Sequence, residues 1–380
     1  MKKIIFAIIL TVLGCAGYAC QGKDSLISPE DYIISTFRHS DVVLLAEDHA
    51  VKENLEFVRE LIPILYENGI YMLGMEFGAV EEQERLDSLL SAPEYDENAA
   101  RKMMFRYNTR WAIKEYMDLY REAWELNRNI PEGAKKFRIL NLSYVFRWDL
   151  FADPGCDGSS TVRTPENMKR VFPYGNTEDF RCSVIEKEVL WEKGKILVLT
   201  GTPHAFTKFR AGIYDYSSPG FVRFEQRYMG NQLYDKYGSR IFSICLHQPF
   251  PNRFNSRPAI VSPAGGQVER TAKENGTVSF GTDLTGSPLG QLVDSSMYSM
   301  GYPKLTMDMI FDGYIFLKPI KELSSCTIDR QFLDVNGWED ALRFNPDPDW
   351  HSVKTVEDYW NTIETFLDIP GRYSAVPENL

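Results

Sequence analysis

The sequence predicts an α/β fold: a central, mostly parallel (mixed) sheet flanked by helices, with two long loop excursions. Three observations predict it. Short apolar runs such as Val42-Val43-Leu44-Leu45 and Ile196-Leu197-Val198-Leu199 suit strands buried on both faces. The first run is followed by apolar residues at helical spacing, Leu55, Val58, Leu61, Ile62 and Leu65. Ionisable residues gather just past the runs, at the carboxyl edge where open α/β sheets place their ligands.

The elements follow in order. Residues 1–20 read as a targeting segment outside the fold. Lys2 and Lys3 form a basic start, and residues 4–13 form an apolar stretch too short to span a bilayer. Val12-Leu13-Gly14-Cys15 has the form of a bacterial lipobox, which makes Cys15 the expected lipidation site and Cys20 the alternative. A lipid-anchored protein of the bacterial cell envelope is therefore expected, with a plain secretory signal cut near Ala19 as the other reading. A single domain over 28–380 follows. It opens on a short helix at 29–38, with Ser28 as cap and Pro29 in the first turn. Strands are expected at 42–47, 71–77, 136–142, 195–200, 240–246 and 307–319. Helices are expected at 51–67, 80–90, 97–107, 110–128, 180–193 and 356–367. The aromatic residues of 110–128 recur at three- and four-residue steps and read as a core face. The excursions are 153–180 and 252–301, both rich in Gly, Pro and Ser, and the second is expected to carry short hairpins. Loops of that length inside a compact domain are usually functional or disordered, and the first is read as a rim over the strand ends.

Composition narrows the function. The formal net charge is −11, the opposite of the basic stripe a nucleic-acid binder shows. Of the four cysteines beyond the leader, Cys156 and Cys182 flank a loop-rich stretch and are the candidate disulfide pair. Cys245 lies in an apolar run and reads as a buried thiol. There is no G-x-S-x-G elbow, no phosphate-binding glycine loop and no H-E-x-x-H, so serine hydrolases and dinucleotide enzymes gain no support.

The chain has only five histidines. Two of them, His49 and His204, stand just past the two best strands, while Glu47 and Glu76 end the first two. Adjacent parallel strands would bring Glu47 and Glu76 together, and all four groups would converge at one sheet edge. Two imidazoles and two carboxylates suit a general base, because a carboxylate fixes the histidine tautomer and supports the imidazolium. They suit a divalent metal equally well. The residues alone leave both open. Asp48 ranks second, Asp312 either approaches the same edge or turns a bulge at Gly313, and His39, His247 and His351 read as structural.

Leu44-Leu45-Ala46-Glu47-Asp48-His49 resembles the L-G-E-x-H opening of a superfamily that groups erythromycin esterases, ChaN-like haem-binding lipoproteins and Tiki/TraB metalloproteases. Gly74-Met75-Glu76 resembles its second acidic strand, and Gly201-Thr202-Pro203-His204-Ala205 its G-x-x-H-A motif. Residues 311–316 resemble a late strand of the esterase-like members, and Trp111 with Glu115 resembles their W-x-x-x-E helix. Ala46 stands where the superfamily has Gly, and the two excursions match nothing in it. The resemblance implies an α/β fold, with His49 as a base activating water, Glu47 and Glu76 orienting it, and His204 positioning substrate or stabilising charge. It implies Trp111, Glu115, Asp312 and Tyr314 as substrate contacts. The Tiki-like branch implies a divalent metal on His49, Glu47, Glu76 and His204; the ChaN-like branch implies haem binding without catalysis. The expected partners are a small-molecule substrate or haem, and a membrane through the lipid anchor.

Overall fold

A computed structural model describes residues 26–151, 163–214, 221–253, 256–345 and 353–377. Its strands, in chain order, are β1 (Val42–Glu47), β2 (Met72–Ala79), β3 (Arg138–Ser143), β4 (Ile196–Gly201), β5 (Gly212–Tyr214), β6 (Phe221–Phe224), β7 (Ile241–Leu246), β8 (Phe250–Pro251), β9 (Ile260–Val261), β10 (Phe280–Asp283), β11 (Val293–Asp294), β12 (Leu305–Thr306) and β13 (Gly313–Phe316). Seven of them form one sheet in the order β10-β13-β7-β1-β4-β2-β3, and the rest pair as three two-stranded ribbons. Every pairing in the sheet is parallel except that of β10 with β13. The expected mixed, mostly parallel sheet is therefore present.

The helices that matter for the site are α1 (Pro29–Thr36), α2 (Lys52–Glu67), α3 (Gln83–Ser91), α4 (Glu97–Tyr107), α5 (Lys114–Asn129), α6 (Pro165–Val171), α7 (Thr177–Ile185), α8 (Met229–Tyr237) and α9 (Gln267–Glu274). Strand alternation divides them between two layers. Val43 and Leu45 of β1, with Leu197 and Leu199 of β4, pack into one core with α2, α4, α5 and the tail helix Val356–Leu367. Val42, Leu44 and Ala46, with Ile196 and Val198, pack into a second core with α7, α8 and α9. Both faces are covered, which is why the runs read as continuous apolar segments.

Three expectations need correction. β1 and β2 are not neighbours: β4 lies between them and pairs with both. Sequence order cannot show a later strand inserted into an earlier gap. The run at 307–319 is not one strand, because residues Met307–Ile310 form a helical turn and only Gly313–Phe316 extends. The excursion at 252–301 is not all loop: it supplies α9 and the edge strand β10. The other excursion holds α6 and the start of α7, with residues 152–162 outside the described segments. Cys156 also lies outside them, whereas Cys182 is a free thiol whose pKa burial pushes up to about 12. Cys15, Cys20 and His351 lie outside the described residues too. Among those described, no helix is long and apolar enough to cross a membrane.

Candidate functional site

The carboxyl ends of β1, β4 and β7 are tied together first. The Thr202 hydroxyl, just past β4, contacts the Glu47 carbonyl (3.0 Å) and Gln248 Oε1 (2.9 Å). Gln248, just past β7, donates in turn to the carbonyls of Ala46 and Leu246. The turn after β1 is therefore held from two sides. Ala50 takes a φ of 70° there, which is strained for a residue with a Cβ. Asp48 is clamped by Arg372, through both carboxylate oxygens at 2.9 Å, and by the Tyr373 hydroxyl at 2.6 Å. That clamp points Asp48 away from the imidazoles and leaves it structural.

Glu47 continues the Leu45 face of β1 and is 1% exposed. Its Oε1 accepts the Tyr116 hydroxyl of α5 at 2.5 Å and lies 3.1 Å from His49 Nδ1. Its Oε2 is buried with no partner among the described residues. Burial raises the Glu47 pKa, against the pull of His49. Burial would lower that of His49, but the hydrogen bond and charge of Glu47, with Glu76 beyond, raise it. The two groups therefore titrate as a pair. The His49 ring stands edge-on to Phe77 (5.0 Å) and Trp111 (5.6 Å), and its side chain is 29% exposed. Trp111 stacks on Phe77, and its indole Nε1 is buried without a partner among the described residues.

Glu76 lies between Met75 and Phe77, which both face the first core, so its carboxylate leaves β2 on the opposite side. There it meets α7. Oε1 accepts from Arg181 Nη2 at 2.9 Å, and Oε2 accepts the Thr200 hydroxyl and the Gly201 N–H, each at 2.7 Å. His204 Nε2 is 3.3 Å from Oε1, and His204 Nδ1 is 2.8 Å from Glu178 Oε1, off the line of a hydrogen bond. Arg181 is 5% exposed and bridges Glu178 (2.7 Å) to Glu76. Burial alone would raise the Glu76 pKa; the charges of Arg181 and His204 hold it well below 4.5. Burial works against the charged form of His204, but Glu76 and Glu178 outweigh it and raise its pKa to about 9. His204 is therefore an imidazolium at neutral pH.

Gly201 joins the two halves. A Cβ added there would sit 2.9 Å from His49 Cε1, 3.2 Å from His49 Nε2 and 3.5 Å from Glu76 Oε2. The sequence signal "Gly just past a buried strand, then His" marks this close approach of backbone to both centres.

Of the residues expected at the site, Glu47, His49, Glu76, His204 and Trp111 come together. Glu115, Asp312 and Tyr314 do not join them. Glu115 accepts the backbone N–H and hydroxyl of Thr327, both at 2.8 Å, fastening residues 324–327 to the first turn of α5. Asp312 is buried at the level of Ser243, inside the sheet, and is satisfied by Ser243, Thr207 and Lys208. Tyr314 is fully buried with its hydroxyl 2.7 Å from His247 Nδ1. His39 packs on Phe242, as a structural residue would. Tyr116, Arg181 and Glu178 were invisible as site residues. Tyr116 reads as one of several core aromatics, Arg181 looks like a surface charge of the helix expected at 180–193, and Glu178 falls in the expected loop excursion, whereas α7 in fact starts at Thr177 and carries both. Their spacing of three, one helical turn, was the only available signal.

Around Glu76 and His204 the donor set does not suit a divalent cation. Arg181 and the His204 imidazolium already neutralise Glu76, and both His204 nitrogens face carboxylates. Among the described residues, no three His, Cys, Asp or Glu side chains gather as a metal-ligand group.

No protein-family model matches the sequence, and no curated protein matches it. Solved structures do. A mutant erythromycin esterase, EreC, in its open conformation aligns with a TM-score of 0.51 at 12% identity, over 79% of this chain and 95% of that one. A succinoglycan biosynthesis protein gives 0.49 at 12% identity, over 78% and 91%. The haem-binding protein ChaN of Campylobacter jejuni gives 0.30 at 18% identity, over 58% and 86%. The chain thus shares the α/β fold of the esterase.

Proposed function

We propose that the protein is a hydrolase that activates water on an ester or related bond, with His49 as general base. The observation that carries this is the Glu47–His49 contact of 3.1 Å at the rim of the sheet, with the ring partly exposed and the carboxylate buried. Glu47 fixes the Nδ1–H tautomer, leaving Nε2 to take a proton from water. Tyr116 holds the carboxylate from behind. As the proton arrives, Glu47 supports the imidazolium, and the aromatic wall of Phe77 and Trp111 keeps that interaction out of bulk water. Glu47 Oε2 and Trp111 Nε1 are an acceptor and a donor left for a bound molecule. His204, held cationic across Gly201, supplies positive charge for the oxygen that becomes negative as the tetrahedral intermediate forms. Glu76 and Arg181 set its position.

The fold of erythromycin esterase supports the same reading. Anchoring to the bacterial envelope through Cys15 belongs to the proposal, and a Cys15→Ser variant should move the protein from the membrane to the soluble fraction. The test of the reaction is a panel of nitrophenyl esters and lactones against wild type and His49→Asn. Turnover by the wild type that survives in the variant would refute the role of His49.

A further inference from the structure

We propose that the cavity beside the Glu76 centre is an anion subsite, which takes the oxyanion head of an amphipathic substrate whose scissile bond reaches His49. The proposal deepens the hydrolase reading and rests on it. The cavity holds about 390 Å³, and its lining includes Arg85, Lys102, Arg106, Arg147, Tyr107 and Trp148. Its place follows from the fold. Tyr107 ends α4 and meets Phe77 at 6.5 Å, the same ring that walls His49. Arg147 follows β3, whose last residue, Ser143, accepts from Arg181 at 3.3 Å. The cavity and the catalytic cluster therefore share the β2–β3 end of the rim.

The charges are unbalanced. Glu82, 3% exposed, receives both Arg85 (2.9 Å) and Arg106 (2.8 Å). Asp149 receives Arg147 (2.9 Å) and is reached by Arg343 (3.7 Å). In each case two guanidiniums share one carboxylate. Among the described residues, Lys102 has no acidic partner and Asp340 is the one carboxylate in the lining. This cationic concentration stands against a net charge of −11 for the chain. A concave site with such a surplus attracts anions, and guanidinium forks match the oxygens of phosphate, sulfate or carboxylate. The aromatic walls call for an apolar body on the same molecule. A cationic substrate would be repelled.

The test uses two fluorescent probes on the whole protein: anilinonaphthalene sulfonate, which is aromatic and anionic, and phenylnaphthylamine, its neutral counterpart. The sulfonate should bind and weaken as NaCl rises from about 50 to about 500 mM. Arg106→Gln should weaken it roughly fivefold or more and leave the neutral probe unchanged. Lys102→Gln, which strips no buried acid of its partner, should act in the same direction and guards against a folding artefact in Arg106→Gln. Sulfonate binding indifferent to salt and to both variants, or equal loss of both probes, would overturn the subsite. His49→Asn should leave sulfonate affinity intact. Turnover therefore reports on the hydrolase reading, and probe affinity on the subsite alone.

Discussion

Glu47 and Glu76 leave their strands on opposite faces of the sheet, yet serve one rim. Glu47 binds Tyr116 of the α5 layer at 2.5 Å, and Glu76 binds Arg181 of the α7 layer at 2.9 Å. They meet around the backbone of Gly201, which donates to Glu76 and lies against His49. Two acids with such different neighbours titrate differently: burial pushes Glu47 up, while Arg181 and His204 hold Glu76 down. In the proposed mechanism that separation lets one work with a base and the other hold a cation in place.

His49→Asn is expected to lower kcat on a turned-over ester by about 10² to 10⁴-fold. Glu47→Gln should act in the same direction. Paired kinetics and thermal denaturation check this.

The pH–rate profile should be bell-shaped. His49 acts as a base only when neutral, and its pKa is raised above 6.5, so the rate should climb through an apparent pKa above that value. It should fall again as His204 loses its proton near about 9. A His204→Gln variant that keeps the alkaline fall would remove His204 from the assignment.

Gly201→Ala should impair turnover more than folding. The new methyl would stand 2.9 Å from His49 Cε1, closer than carbon atoms tolerate. The ring must move off its contact with Glu47. A variant with a native melting curve and full activity would contradict this geometry.

Arg181→Met should destabilise the protein by about 3–5 kcal/mol, because it leaves buried Glu76 short of its main counter-charge. Urea titration measures it. The pH dependence has two signs. Glu76, with a depressed pKa, contributes stability that is present above 4.5 and lost as pH falls through the lowered value. His204, with a raised pKa, contributes stability that is complete below 6.5 and lost as pH rises through about 9. Both contributions are whole between 4.5 and 6.5, so wild-type stability from this cluster should peak there.

Chelation should leave activity unchanged, and elemental analysis should find no stoichiometric divalent metal, because Arg181 and His204 occupy the charge of Glu76. A metal at one equivalent, lost together with activity, would reverse the reading.

Local patterning is enough to place the strands of the sheet interior, and with them the edge at which the ionisable residues gather. Val42 to Leu45 and Ile196 to Leu199 are unbroken apolar runs because each is covered on both faces, and that pressure is local enough to read. It also marked His49 and His204, since a histidine directly past such a strand has few places to go. The partners of the acids depend instead on packing between distant segments. Whether β1 and β2 touch depends on where β4 inserts, a pairing of residues more than a hundred positions apart. Arg181 looks like any helix-surface charge until α7 docks over Glu76, and Tyr116 like any core ring until α5 aims its hydroxyl at Glu47. Asp312 and Glu115 look equally functional until their partners, Ser243 and Thr327, show them to be structural. The physical reason is range: burial periodicity is written into neighbouring residues, whereas the partner of a buried charge is chosen by packing between distant ones.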